Sequence, residues 1–246
     1  MRKIVFELCA ETIDACLAAK EGGANRIELC SALSEGGLTP SHGLLSYAVA
    51  QSGLPVHVLI RPRGGDFVYS AAEIAVMCTD IEHAKLCGAS GVVLGILRPD
   101  ATVDVEATQA MVKMARPMEV TFHRAFDVTS SLPQALEDVI TSGCERVLTS
   151  GGERDVMVGV HSLAALVEQA AGRIEIAVGG GLRIQNAASL SQTIGAQHFH
   201  GSLRRKTSAH TVSTADDAID DSEALGFDYT VDAAEIRTMI DLLQNA

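Results

Sequence analysis

Short apolar runs alternate with helix-patterned segments along nearly the whole chain, at roughly 25-residue spacing. Runs at residues 3–9, 26–30, 56–61, 91–97, 119–123, 146–149, 174–178 and 197–200 predict eight strands. Between them, residues 11–21, 104–115, 132–142, 156–171 and 184–193 carry helical patterning. Thr39-Pro40-Ser41 opens another helix, with proline tolerated in a first turn. Ser70 with Glu73 forms a capping box for a helix running to about Cys87. Gly22-Gly23 stops the first helix. Parallel strands need crossovers of this length, so the pattern predicts an α/β protein. A doubly wound open sheet is the rival arrangement. The count of about eight units, and the polar residues gathered after successive strands, favour a closed TIM-type (β/α)8 barrel.

The barrel is expected over residues 1–203, followed by a C-terminal extension, 204–246. That extension begins as a polar connector, 204–229, and ends in a helix near 233–243. Ile236, Met239, Ile240 and Leu243 share one face of this last helix. That face needs a cover, either the barrel's own flank or a second subunit.

The 246 residues are 47% hydrophobic, enough for one large core. A formal net charge of -12 excludes the basic footprint that nucleic acid requires and disfavours membrane surfaces. No apolar run approaches ~18 residues, so no transmembrane helix is expected. The opening MRKIVFELCAE reaches a glutamate too early for a signal peptide. Six cysteines at 9, 16, 30, 78, 87 and 144 include no CxxC, which fits free thiols in a reducing cytoplasm.

Chemistry gathers where strands end. Strands one and two share a tripeptide, Glu7-Leu8-Cys9 and Glu28-Leu29-Cys30. Residues two apart on a strand face one side, so outward leucines put both glutamates and both cysteines inside the barrel. Buried carboxylates need partners. Arg61 and His57 on the third strand, and Thr121 and His123 on the fifth, are the partners on offer. His57 lies deep in an apolar strand and reads as a satisfied core histidine. The expected constellation is Glu7, Glu28, Arg61 and His123, with Cys9 and Cys30 above and His200 and Ser202 closing the ring. Glu7, Glu28 and His123 are the candidate acid–base residues. Either glutamate also serves equally as a structural ion-pair partner, and the cysteines as small buried fillers.

Arg61 and Arg63 flank a proline and precede Gly64-Gly65-Asp66, and Arg124 follows His123. Arginine forks recognise carboxylate or phosphate, so Arg61, Arg63, Asp66 and Arg124 are candidate substrate contacts. The alternative is a loop held by Asp127 or Glu35. Gly179-Gly180-Gly181 before a helix, with Arg183 nearby and Gly201-Ser202 after the eighth strand, resembles the phosphate cradle of many barrels. Gly180, Gly181, His200 and Ser202 therefore join the candidate binding set; a tight strand-to-helix turn is the other use of the glycines. Met111, Met114 and Met118 fit core packing better than a thioether copper site. No GxSxG, HExxH, P-loop or zinc-type cysteine spacing occurs.

With these residues laid out, the sequence resembles the CutC family of copper homeostasis proteins. The segments that carry the resemblance are EGGANRIELC (21–30), EGGLTPS (35–41), VHVLIRPRGGDFVY (56–69), TFHRAFD (121–127), LTSGG (148–152), VGGG (178–181) and FHGS (199–202). The resemblance implies a TIM-type barrel, a cytoplasmic location, a homodimer or higher homo-oligomer, and a role in copper tolerance or copper binding. Two functions stay open. Cu(I) prefers soft thiolates, and Cys9 with Cys30 is the pair the fold brings together. Alternatively, the mouth is an enzyme or binding site for a small phosphorylated or carboxylated anion, with a divalent metal held by the carboxylates.

Overall fold

Each βα unit forms because a short strand, apolar on its outward face, is followed by a helix that buries it. The computed structural model describes residues 3–207 and 228–246. Eight parallel strands close into a barrel in sequence order: β1 Val5–Ala10, β2 Arg26–Leu29, β3 Val56–Leu59, β4 Gly91–Leu94, β5 Glu119–Phe122, β6 Arg146–Thr149, β7 Glu175–Val178 and β8 His198–Gly201. Closure comes from β8 pairing with β1, Phe6 opposite Phe199 and Leu8 opposite Gly201. Eight α-helices among the described residues ring the barrel: α1 Ile13–Gly22, α2 His42–Ser52, α3 Ala71–Leu86, α4 Val105–Ala115, α5 Leu132–Ser142, α6 Val160–Ala170, α7 Ile184–Ile194 and α8 Ala233–Gln244. No helix among the described residues is long and apolar enough to cross a membrane.

Local chemistry sets the helix ends. The Ser70–Glu73 capping box forms as the sequence requires. Pro40 lies just outside α2, whose N-cap is Ser41, because the Ser41 hydroxyl accepts from the Leu44 amide. Helix α6 starts at Val160, later than the patterning suggested. A turn at 156–159 intervenes, and a Cβ on Gly159 would collide with the Ser150 carbonyl. Strands β3 and β4 end at Leu59 and Leu94, shorter than their apolar runs, and Leu97 instead pairs with Val103 in an isolated bridge.

Of the expected connector, 208–227 lies outside the described residues. Its ends, β9 Arg205–Thr207 and β10 Asp228–Thr230, pair antiparallel. The terminal helix packs on its own chain, between α1 and α7, and takes the eighth place in the ring. Ile236, Met239 and Leu243 are buried there, and Ile240 partly. Gly22 makes the approach possible: a Cβ there would sit 2.5 Å from the Ile236 Cβ.

The core between barrel and helices is apolar, built on Phe6, Leu8, Ile27, Val58, Phe122 and Phe199. The barrel interior is different. Most such interiors are filled by branched aliphatics, but this one holds Glu7, Arg26, Glu28, His57, Thr121, Arg146 and His200, all buried. A small apolar cluster of Cys9, Cys30, Leu59 and Val93 lies apart from the main core.

Candidate functional site

The polar interior has two levels. The lower one is an ion-pair network. Glu7 sits opposite Arg26 in the β1–β2 register, and the Arg26 guanidinium binds Glu7 Oε2. His200 Nδ1 lies 2.8 Å from Glu7 Oε1. Arg146 donates to Thr121 at 2.8 Å and to Glu119 at 3.1 Å. Both Glu7 oxygens are therefore taken. Burial alone would raise its pKa, but Arg26 and the hydrogen bond to His200 hold it well below the usual carboxylate range. Glu7 is thus a fixed anion beneath the mouth that orients His200. It does not line the cavity above. The sequence offered Arg61 and His57 as partners for the glutamates, but the register hands Glu7 to Arg26 instead. His57 is not a satisfied core histidine either: Nδ1 has no hydrogen-bond partner among the described residues, and Nε2 lies 3.7 Å from Glu119. Burial pushes its pKa down to about 3.

The upper level opens at the C-terminal ends of the strands, into a cavity of about 700 Å³. Cys9, Glu28, Arg61, His123, Arg124, Gly180, Gly181, His200 and Ser202 all line it. Glu28 is 5% exposed, and its Oε2 makes no hydrogen bond among the described residues. Burial pushes the Glu28 pKa up to about 7, with the neighbouring Glu7 charge adding to the rise and His200 opposing it. His200 is pulled down by burial but raised overall, because the Glu28 and Glu7 carboxylates favour its charged form. The Cys9 and Cys30 sulfurs are 3.7 Å apart, and Cys9 Sγ is 3.8 Å from Glu28 Oε1. The contact with Cys30, then burial, raise the Cys9 thiol well above its ordinary value. Cys9, Glu28 and His200 place one ligand atom each within 4.8 Å of one another. His123 also faces the cavity; its Nδ1 accepts from the Ala125 amide, and Nε2 has no hydrogen-bond partner among the described residues.

Glu28 makes stability pH-dependent in a defined direction. Its folded pKa lies above the unfolded value of 4.5, so between pH 4.5 and 7 the folded protein holds more protons and stability falls as pH rises. His200, also raised, works in the same direction, its contribution being lost as pH rises. Glu28→Gln is therefore expected to flatten this slope and to gain up to roughly 3 kcal/mol at pH 8. Urea unfolding of both proteins from pH 5 to 8 measures it; parallel pH profiles would show that Glu28 titrates normally.

The remaining candidate residues are placed elsewhere or used differently. Cys30 is fully buried under the cavity floor. Arg61 lines the cavity, but its guanidinium donates to the carbonyls of Glu35, Gly37 and Gly65 and so braces two loops. Arg63 and Asp66 lie off the cavity, paired with each other at 3.0 Å, while Arg63 also binds Glu73 at 2.5 Å. Gly180 and Gly181 have positive φ angles of 99° and 96°. A Cβ on either would meet Arg124 or Asp155, so these glycines admit neighbouring side chains as well as turning the chain. Asp127 does not hold the Arg61 loop. It accepts from Arg124 Nε at 2.7 Å and from the loop after β6. The sequence reading did not single out Arg26 or Arg146. Arg26 lies two residues before Glu28 and must share its face, and that spacing is the signal that reveals it.

The comparisons with known proteins agree with this architecture. The CutC family profile matches residues 4–205. A family protein CutC of Xanthomonas campestris pv. campestris (strain 8004) is 46% identical over 98% of this chain and 99% of its own. One from Chromobacterium violaceum is 47% identical over 81% of each. A solved structure from Streptococcus agalactiae, assigned as a copper homeostasis protein CutC, superimposes with a TM-score of 0.77 at 34% identity, covering 81% of this chain and 98% of that one. The chain therefore belongs to the CutC family.

Proposed function

We propose that the protein acts in copper homeostasis by binding Cu(I) at the barrel mouth through Cys9 and Cys30. One observation carries the reading: the two sulfurs lie 3.7 Å apart. A metal–sulfur bond of about 2.3 Å in trigonal or tetrahedral geometry sets two sulfurs ~3.8–4.0 Å apart, so the pair fits with little movement. Soft thiolates favour Cu(I). Glu28 and His200 stand beside Cys9 as further donors. The raised Cys9 thiol must lose its proton when copper binds. Glu28, 3.8 Å away and poised near neutral pH, is placed to receive it. Six free thiols support a reducing cytoplasm as the setting, and the family resemblance supports a homo-oligomer.

Titration of reduced protein with Cu(I) against a competing chelator tests this. Cys9→Ser and Cys30→Ser are each expected to weaken binding by at least ~100-fold, since even an outer-shell change costs about 10–100-fold. Affinity unchanged in both variants would refute thiolate binding at this pair.

A second reading rests on the size of the cavity. A volume of about 700 Å³ suits a small molecule rather than a bare ion. Arg124, Arg183, Arg204 and Arg205 line it, and the N-terminus of α7 opens onto it, which supports an anionic ligand. Glu28 and His123 would then supply acid–base chemistry. A thermal-shift panel of phosphorylated and carboxylated metabolites is expected to contain a stabilising ligand whose effect disappears in Arg124→Ala. A silent panel, or a shift that survives the substitution, would remove this reading.

A further inference from the structure

On the outer face of the barrel, among residues that do not line the mouth cavity, three metal-ligating atoms converge. His42 opens α2, and His83 and Cys87 lie one helical turn apart at the end of α3. His42 Nδ1 is 2.7 Å from His83 Nε2. Cys87 Sγ is 3.5 Å from the same His83 nitrogen and 4.0 Å from the same His42 nitrogen. Each residue thus turns one atom toward a common point. The group is reachable from solvent: His42 is exposed, and His83 and Cys87 are half-buried.

We propose that His42, His83 and Cys87 form a second metal site, for a d10 cation of the zinc(II) or copper(I) type, with one coordination position left open. The ligand set decides the class. Imidazole and thiolate together suit zinc and copper, and hard cations have no oxygen cage here. Metal–nitrogen bonds of about 2.0–2.1 Å and a metal–sulfur bond of about 2.3 Å would place tetrahedral ligands ~3.3 Å (N–N) and ~3.6 Å (N–S) apart. The nitrogen–sulfur distances bracket that value. The two nitrogens now stand at hydrogen-bonding distance; a cation between them needs them only slightly further apart, and exposed His42 has room to move. Ser46 braces the site from outside. Its Oγ lies 3.5 Å from His42 Nε2, the nitrogen not used for the metal, and 3.7 Å from Cys87 Sγ. A polar partner on the distal nitrogen is what orients a ligating histidine. Three protein ligands and an open position describe a site that exchanges its metal or its fourth ligand, unlike a closed structural site. This inference does not rest on copper binding at the mouth.

The test uses the full chain, reduced, carrying Cys9→Ser and Cys30→Ser so that the mouth thiols are silent. Cobalt(II) is the spectroscopic probe. One equivalent is expected to bind with a thiolate-to-cobalt charge-transfer band and intense tetrahedral d–d bands. His83→Gln and Cys87→Ser should each weaken binding by ~100-fold or more and, for Cys87→Ser, abolish the charge-transfer band; Cys78→Ser should change nothing. Competition of zinc(II) and of copper(I) against chelators then tells which ion the site holds more tightly. The complementary titration places Cys87→Ser in the otherwise native chain, where one equivalent of cobalt should be lost. No thiolate band in the mouth-silenced protein, or a band that persists after Cys87→Ser, would overturn the proposal.

Discussion

Arg26→Met is expected to destabilise the folded chain by about 3–5 kcal/mol, the cost of leaving a buried charge without its partner. Arg26 and Glu7 are both almost wholly buried and face each other across β1 and β2. His200 stays bound to Glu7 and Arg146 acts from further away, so the loss should fall at the lower end of that range. The sign with pH follows. Glu7 is held well below its ordinary pKa, so its stabilising contribution is present above the unfolded carboxylate pKa and is lost as pH falls through the folded one. The penalty of the substitution is therefore largest at neutral pH and shrinks in acid, where the variant's Glu7 takes up a proton. Adding Glu7→Gln to Arg26→Met should recover at least half of the loss. Urea unfolding of the wild type, both single variants and the double variant measures the coupling. A loss below ~1 kcal/mol for Arg26→Met would mean that the network does not anchor the barrel interior.

Asp127→Ala is expected to cost about 4 kcal/mol or more, because one carboxylate organises a whole loop. Asp127 accepts from the Thr149 hydroxyl at 2.5 Å, from the Ser150 amide at 3.0 and 3.1 Å, from the Ser150 hydroxyl at 3.0 Å and from the Gly152 amide at 3.1 Å. It also fixes Arg124 on the cavity rim at 2.7 Å. Truncation leaves several inward-facing donors unmatched and releases that arginine. Fast amide exchange at Ser150 and Gly152, together with the shift in unfolding midpoint, is the expected signature. Near-native stability with both amides still protected would contradict it.

These two residues also mark where reading the chain stops. The βα alternation, the Ser70–Glu73 box and the outward leucines of the two ELC tripeptides follow from periodicity and capping, which act within a few residues. They were legible because the same pattern is repeated in unit after unit. The convergence of Glu28, His123, Arg124, His200 and Ser202 on one cavity followed from strand polarity, since all parallel strands end on one side. What each side chain does there did not follow. Arg61 carries the same charge as Arg124, yet it is consumed by backbone carbonyls while Arg124 lines the rim. Arg63 and Asp66, one turn of loop further on, pair with each other away from the cavity.

By itself, then, the order of residues determined a closed parallel barrel, a polar mouth and the facing of its two glutamates, because these depend on local periodicity and chain direction. Only the tertiary structure decided that Glu7 is spent on Arg26 and His200 while Glu28 keeps an oxygen without a hydrogen bond among the described residues. The physical reason is inter-strand register: the β1–β2 pairing sets Arg26 beside Glu7, and β8, closing the barrel from the far end of the chain, brings His200 to the same carboxylate.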